Sequence, residues 1–161
     1  MLNRNRRGFS LTELLIIVVI MGILAALGLP RFRLIRDRQN VSSARARIES
    51  TLAAARAAAI HKGRLSLFVV NGNWIGAWTQ NPTTGIWEPQ IAWTDLNAVY
   101  SGVSVQIGGA GYPYLYFEPR GMTWSLSRPP STVIYRVVSQ SSRDSICVTR
   151  LGQLLPRGCA L

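Results

Sequence analysis

Hydrophobic residues along this chain fall into three regimes. From Leu14 to Leu29 (LLIIVVIMGILAALGL) they run without a charge. Between Val41 and Ala59 they recur every three or four residues, at Val41, Ala44, Ile48, Leu52, Ala55 and Ala59. Arg38, Arg45, Arg47, Arg56 and Lys62 fall largely off that stripe, so the pattern marks one apolar face of a helix. Alanine, the best helix former, is abundant there, and Gly63 directly after Lys62 is a C-cap signal. The spacing predicts one long helix from Phe9 to about Lys62. Pro30 would remove one backbone hydrogen bond and kink the helix or melt it locally. From Arg64 the period drops to two. RLSLFVV, then Asn71-Gly72, then NWIGAWT reads as a β-hairpin, and Asn81 to Gly85 (NPTTG) marks the next turn. Further strands are expected at 86–93, 103–107, 114–117, 122–126, 132–139 and 145–150, with Gly108 to Pro113 as a loop. A long helix followed by many short strands predicts an α+β fold, the helix laid across antiparallel sheet.

Charge sharpens this picture. The net charge of the 161-residue chain is +11, and Lys62 is its only lysine. Arg31 to Arg64 carries nine basic residues against Asp37 and Glu49, a local +7; Leu65 to Leu161 carries six arginines against four acids, only +2. Such a basic stripe attracts phosphates, lipid headgroups or acidic proteins, or it is simply a solvated helix face. The cysteines, Cys147 and Cys159, have eleven residues between them. In an exported domain they read as a disulfide contributing about 3 kcal/mol; in a cytosolic one they are two thiols.

Glu13 stands at the doorway of the apolar run, behind Arg4, Arg6 and Arg7. A secretory signal peptide, with Ala25 to Gly28 as the cleavage region, accommodates the run. So does a plain membrane anchor, because the 21 residues from Phe9 to Leu29 would span about 32 Å as a helix. Neither explains the carboxylate. A cut between Gly8 and Phe9 does: it creates an α-amino group on Phe9, one helical turn from Glu13. In a bundle of identical helices the Glu13 carboxylate of one copy then meets the amine of a neighbour, which offsets the cost of burying both charges and sets the stagger.

RRGFSLTELLIIVVIMGILAALGLP resembles the class III signal and N-terminal helix of type IV pilins and type II secretion pseudopilins, through Gly8, Phe9, Thr12 and Glu13, with Pro30 where pilins often carry a proline. The resemblance implies cleavage and N-methylation of Phe9 by a prepilin peptidase. It also implies single-pass insertion in the bacterial inner membrane, with the basic leader cytoplasmic and the C-terminal domain in the periplasm or on a filament. The expected organisation is a leader, 1–8; a transmembrane and filament-core helix, 9–30; an amphipathic helix, 31–63; and a β-rich domain, 64–161. Thr12, Glu13 and Pro30 are the expected assembly residues, and other pilin or pseudopilin subunits the expected partners. Downstream, Phe117 to Gly121 (FEPRG) matches an F-x-x-x-G element. With the β-pair ending in SICVTRLGQLLPRGC it resembles the GspH/FimT subfamily of minor pilins and pseudopilins, whose FimT-like members also fit the two C-terminal cysteines. That implies a low-copy subunit, at a filament tip, in a type IV pilus or a type II secretion pseudopilus.

Some FimT-like minor pilins bind DNA through a basic G-R-x-R element near the tail. The matching stretch here is Gly152-Gln153-Leu154-Leu155, with glutamine and leucine at the two arginine positions. Arg150 and Arg157 flank it, and Arg143 and Arg136 lie nearby; these four are the candidate DNA-binding residues, which would act through salt-sensitive phosphate contacts. Trp74 and Trp78 share a strand face, with Trp87, Trp93 and Trp124 on other strands; they are read as core packing of a small sheet in preference to stacking on bases. The chain shows no catalytic set. His61 is a lone histidine at a helix end, Glu88, Asp95, Glu118 and Asp144 are isolated in sequence, and Gly108 to Gly111 lacks the Lys-Ser/Thr of a phosphate loop. The expectation is a structural subunit, not an enzyme, with no metal and no cofactor.

Overall fold

The structure is a computed structural model that describes residues 9–108, 113–124 and 132–155. The chain divides into two compact units, residues 1–36 and 37–161. Helix α1 (Leu11–Lys62) contributes to both. Along the chain follow β1 (Ser66–Asn71), β2 (Trp74–Gln80), β3 (Trp87–Asp95), α2 (Leu96–Val99), β4 (Ser104–Gly108), β5 (Tyr114–Phe117), β6 (Thr123–Trp124), β7 (Thr132–Val138), β8 (Arg143–Thr149) and β9 (Leu154–Leu155).

In the first unit α1 opens at Ser10, whose carbonyl accepts from the N–H groups of Glu13 and Leu14. The helix continues through Pro30 without a break, so the local melting expected there is corrected: a proline removes only one ladder bond, and the turns around it persist.

In the second unit α1 ends as its sequence predicts. Gly63 takes φ +61°, and the Arg64 N–H reaches back to the Ala59 carbonyl at 3.2 Å, a Schellman closure that only a residue tolerant of positive φ permits cheaply. All six residues of the predicted stripe, Val41, Ala44, Ile48, Leu52, Ala55 and Ala59, are buried. Truncating one of the larger of them, such as Leu52→Ala, costs about 2–5 kcal/mol.

The strands form two antiparallel sheets, one of order β3-β2-β1-β5-β6 (sheet A) and one of order β4-β7-β8-β9 (sheet B). In sheet A, register places Ser66 opposite Thr79 and Phe117, Phe68 opposite Ala77 and Leu115, and Val70 opposite Ile75. All of these are buried. In sheet B, Tyr135 pairs with Ile146, and the same face carries Val105, Val137 and Val148. The helix stripe and these two inner faces make one core, in which the rings of Phe68 and Tyr135 meet edge to face at 5.5 Å.

Several expected boundaries shift. Asn71 pairs with Trp74, so the hairpin turn is Gly72-Asn73, one residue later than the Asn-Gly reading; Gly72 supplies the positive φ, +59°. Strand β3 begins at Trp87 and ends at Asp95. Asp95 caps the unforeseen helix α2 by accepting from the Asn97 N–H. Strand β9 was also unforeseen. Residues 109–112, within the expected glycine loop, lie outside the described residues, as do 125 and 126.

Candidate functional site

Glu13 lies in the first turn of α1 and is exposed, as is every residue from Phe9 to Ala26. Its carboxylate makes no ion pair among the described residues. It gains from the partial positive charge of the helix N-terminus. The Thr12 and Ser10 hydroxyls bond each other at 2.7 Å. Phe9 is 72% exposed. Gly8 lies outside the described residues, and Pro30 sits within the helical span. This stretch is the one helix of the described residues long and apolar enough to cross a membrane, and its apolar window buries nothing within the chain.

Arg45 ties α1 to sheet B. Its Nε donates to Glu49 Oε1 at 2.9 Å and its Nη1 to Asp144 Oδ2 at 2.8 Å. The bond to Asp144, then that to Glu49, raises the guanidinium pKa further above its ordinary value. The Ser141 hydroxyl donates to Asp37 at 2.6 Å, so the β7–β8 turn is held to the same helix. Asp144 therefore has a structural partner.

The F-x-x-x-G element also has a mechanical role. Phe117 is buried, and the chain then turns so that the Gly121 N–H donates to the Glu118 carbonyl. Gly121 (φ +76°) and Gly152 (φ +68°) lie against each other: a Cβ on Gly152 would sit 2.4 Å from the Gly121 carbonyl oxygen. Arg56 on α1 clamps both loops, its Nε donating to the Gly121 carbonyl at 3.0 Å and its Nη2 to the Leu151 carbonyl at 3.2 Å. The tail glycine is thus placed by packing, independently of any basic ligand site.

The structure brings two of the four candidate arginines together. Arg136 on β7 and Arg143 on β8 project from the outer face of sheet B, where Arg136 stands opposite Gln106 and Ser145. With those two residues, Val138 and Asp144 they line an open cavity of about 590 Å³. Arg150 follows the other end of β8, about 23 Å from Arg143 along the strand at 3.3–3.4 Å per residue, and is exposed. Arg157 lies outside the described residues. At the G-R-x-R positions, Gln153 is exposed, Leu154 packs against the core, and Leu155 pairs opposite Cys147 on β9. Cys147 is buried on β8, and Cys159 lies outside the described residues.

The tryptophans correct the core-packing expectation. Trp74, Trp78, Trp87 and Trp93 all lie outside the core. Trp74, Trp78 and Trp87 project from the outer face of sheet A with Tyr114 and Tyr116. Trp93 joins them, its ring 4.7 Å from that of Trp78, and Trp87 meets Tyr116 at 6.1 Å. Trp74 and Trp93 are each about half exposed, at 46% and 47%. The signal for this was present in the sequence: Trp74, Gly76, Trp78 and Gln80 share one strand parity and Ile75, Ala77 and Thr79 the other. His61 is exposed at the end of α1, and no group of three or more potential metal ligands occurs among the described residues.

An apolar N-terminal helix carrying one carboxylate, joined to a domain in which the later helical turns pack under two antiparallel sheets, has the build of a pilin-like filament subunit. Residues 3–29 match the family described as the prokaryotic N-terminal methylation motif, and residues 44–152 match type II transport protein GspH. The chain belongs to the GspH family. It is similar to the type IV major pilin protein PilA of Myxococcus xanthus (strain DK1622), with 38% identity over 66 residues, 41% of this chain; it spans 30% of the length of that relative. Among solved structures, the type IV minor pilin FimU of Pseudomonas aeruginosa (strain PAO1) is 15% identical, with 71% of this chain and 90% of that one covered at a TM-score of 0.53. The minor pseudopilin EpsH from the type 2 secretion system of Vibrio cholerae is 14% identical, with 70% and 91% covered at 0.52. These likenesses establish the pilin-like fold.

Proposed function

We propose that this chain is a minor subunit of a filament anchored in the bacterial inner membrane, a type IV pilus or a type II secretion pseudopilus, placed at low copy towards the tip. It acts as a structural subunit and not as an enzyme. The observation that carries the reading is the exposed apolar helix from Phe9 with Glu13 as its one charge in the first turns. Such a surface needs a bilayer or other helices around it. A lone carboxylate in a spanning helix costs up to about 2.5–3.5 kcal/mol at the bilayer centre and less towards the end of the helix, where Glu13 lies, and a neighbour's N-terminal amine removes that penalty only at one axial stagger. Prepilin peptidase would generate the amine by cutting between Gly8 and Phe9, leaving the domain periplasmic. Glu13→Val and Glu13→Ala are expected to reach the membrane fraction at normal levels and to be depleted from sheared filaments. Normal incorporation of both variants would refute the pairing.

One observation favours a second reading, DNA capture: Arg136 and Arg143 line the same cavity with Gln106 and Ser145, and the one carboxylate in its lining, Asp144, is paired with Arg45. Duplex and single-stranded DNA would be titrated against the full chain in detergent at several salt concentrations. Each phosphate contact on duplex adds about 0.9 to the logarithmic salt slope, so Arg136→Ala with Arg143→Ala would weaken binding and flatten that slope by about 2. Equal binding by the double variant would exclude this face.

A further inference from the structure

The outer face of sheet A differs in chemistry from the rest of this basic chain. Its strands, β1, β2, β3, β5 and β6, contain no lysine or arginine, and their charged residues are Glu88 and Asp95. Glu88 accepts from the Asn81 amide, and Asp95 caps α2. What remains outward is neutral and aromatic. At one end Trp74, Trp93 and Asn71 line a shallow cleft of about 390 Å³. The Asn71 amide makes no hydrogen bond among the described residues. The cleft is supported from below. Trp78 carries Trp93 on its ring at 60°, and Trp78 itself lies flat across Gly76, where a Cβ would come within 2.4 Å of the indole. Only glycine at that position lets the ring lie along the sheet.

We infer that this cleft binds a neutral glycan built of all-equatorial pyranoses, of the glucose or N-acetylglucosamine type. The argument is one of complementarity. An indole face carries partial negative charge and attracts the polarised axial C–H groups that such sugars present on both ring faces. Two half-exposed indoles offer stacking surface for sugar rings, and the Asn71 amide, on the strand beside Trp74, offers both a donor and an acceptor to hydroxyls. Nucleic acid is disfavoured, because stacking platforms for it are paired with cations that track phosphates, and this face has none. Anionic lipid is disfavoured for the same reason.

The test uses the full chain in a detergent without a sugar headgroup, reading intrinsic tryptophan fluorescence and calorimetric heat against cellohexaose and chitohexaose, with an α-linked mannan fragment as the comparison. Saturable binding in the micromolar to millimolar range by at least one equatorial hexamer, weakened tenfold or more in Trp74→Ala and Trp93→Ala and retained in Trp87→Ala, is the expected result. Asn71→Ala is expected to weaken binding three-fold or more without altering the far-ultraviolet circular dichroism spectrum, which guards against a misfolded tryptophan variant. Absence of any response to either hexamer would overturn the inference. So would equal binding of the mannan fragment, binding unchanged in the Trp74 and Trp93 variants, or a finding that those substitutions abolish only self-association of the chain.

Discussion

Gly152→Ala tests whether the tail loop is positioned by contact with Gly121 and Arg56. The substitution carries two costs. The first is backbone strain at φ +68°, about 1–2 kcal/mol for a residue with a Cβ, offset by about 0.4–1 kcal/mol because alanine restricts the unfolded chain. The second is overlap. The new Cβ would lie 2.4 Å from the Gly121 carbonyl oxygen, 3.2 Å from Arg56 Nε and 3.3 Å from a Phe117 ring carbon. The first of these is backbone and cannot swing away, so the β8–β9 turn must shift, at about 1–3 kcal/mol for an overpacked site. Moving the Gly121 carbonyl also endangers its 3.0 Å bond from Arg56, worth about 0.5–1.5 kcal/mol. Gly72→Ala is the internal control: its φ is +59°, and nothing lies within 4 Å of its Cβ. The difference between the two variants isolates the packing cost, about 1.5–4.5 kcal/mol. At Gly121 the tightest contact is the Ile60 Cδ1 atom at 2.8 Å, the end of a flexible side chain on α1. Destabilisation is therefore expected to rise from Gly72→Ala through Gly121→Ala to Gly152→Ala. Chemical unfolding of the full-length protein in detergent, followed by circular dichroism, measures all three. A Gly152→Ala variant no less stable than Gly72→Ala would refute the clamp.

Tyr135→Phe is expected to stabilise the domain by about 1 kcal/mol, since the buried hydroxyl has no partner among the described residues and an unmade hydrogen bond costs about 1–3 kcal/mol; a loss of stability would show that the hydroxyl is satisfied. Burial also raises the Tyr135 pKa above its ordinary 10.0. The unfolded chain thus loses that proton first, and stability is full below about pH 10 and declines above it by about 1.4 kcal/mol per pH unit; Tyr135→Phe makes the decline shallower, and an unchanged alkaline limb in the unfolding midpoint would contradict this. Cys147→Ser is expected to cost about 3 kcal/mol if Cys147 and Cys159 are joined in the exported protein; a free thiol detected by alkylation of the native, unreduced chain would remove that disulfide. Mass spectrometry of the membrane-extracted protein is expected to show a chain beginning at a methylated Phe9, and an intact Met1 terminus in filaments would contradict the processing.

How legible the fold was depended on which forces act locally. The helix face from Val41 to Ala59 could be read position by position, because a 3.6-residue period leaves one stripe to bury. Gly63 as the helix stop followed from its freedom at positive φ. Hairpin strands were equally clear, but the turn slipped by one residue, since Asn71-Gly72 and Gly72-Asn73 are both good turn pairs and cross-strand packing decides between them. The tryptophan face was misread for a related reason. Alternation separates two faces of a strand without saying which one meets the core. Hydrophobicity pointed to the indoles, yet the buried side of β2 is Ile75, Ala77 and Thr79. Thr79 is fixed there by Gln90, whose other amide atom is held by Lys62 at the end of α1. A core that shares its space with an alanine-rich helix stripe accepts small side chains and excludes indoles. The convergence of Arg136 and Arg143 was hidden because it depends on the register of β7 against β8.

The partition of charge between the two sheets makes the binding readings separable. Nine of the basic residues lie between Arg31 and Arg64, and Arg136 and Arg143 lie on the outer face of sheet B, whereas the strands of sheet A carry no cation. A polyanion therefore finds favourable potential along α1 and on sheet B, and its binding weakens with salt. A neutral ligand gains nothing from those regions and should bind with little salt dependence. Loss of DNA binding in the Arg136 and Arg143 variants together with intact glycan binding, and the reverse in the Trp74 and Trp93 variants, would assign the two faces independently. Neither result bears on Glu13, whose exposed carboxylate at the start of an apolar helix poses its own problem. On the proposed reading its cost exists only in hydrocarbon, so its substitution is expected to change assembly and to leave the folding of the domain untouched.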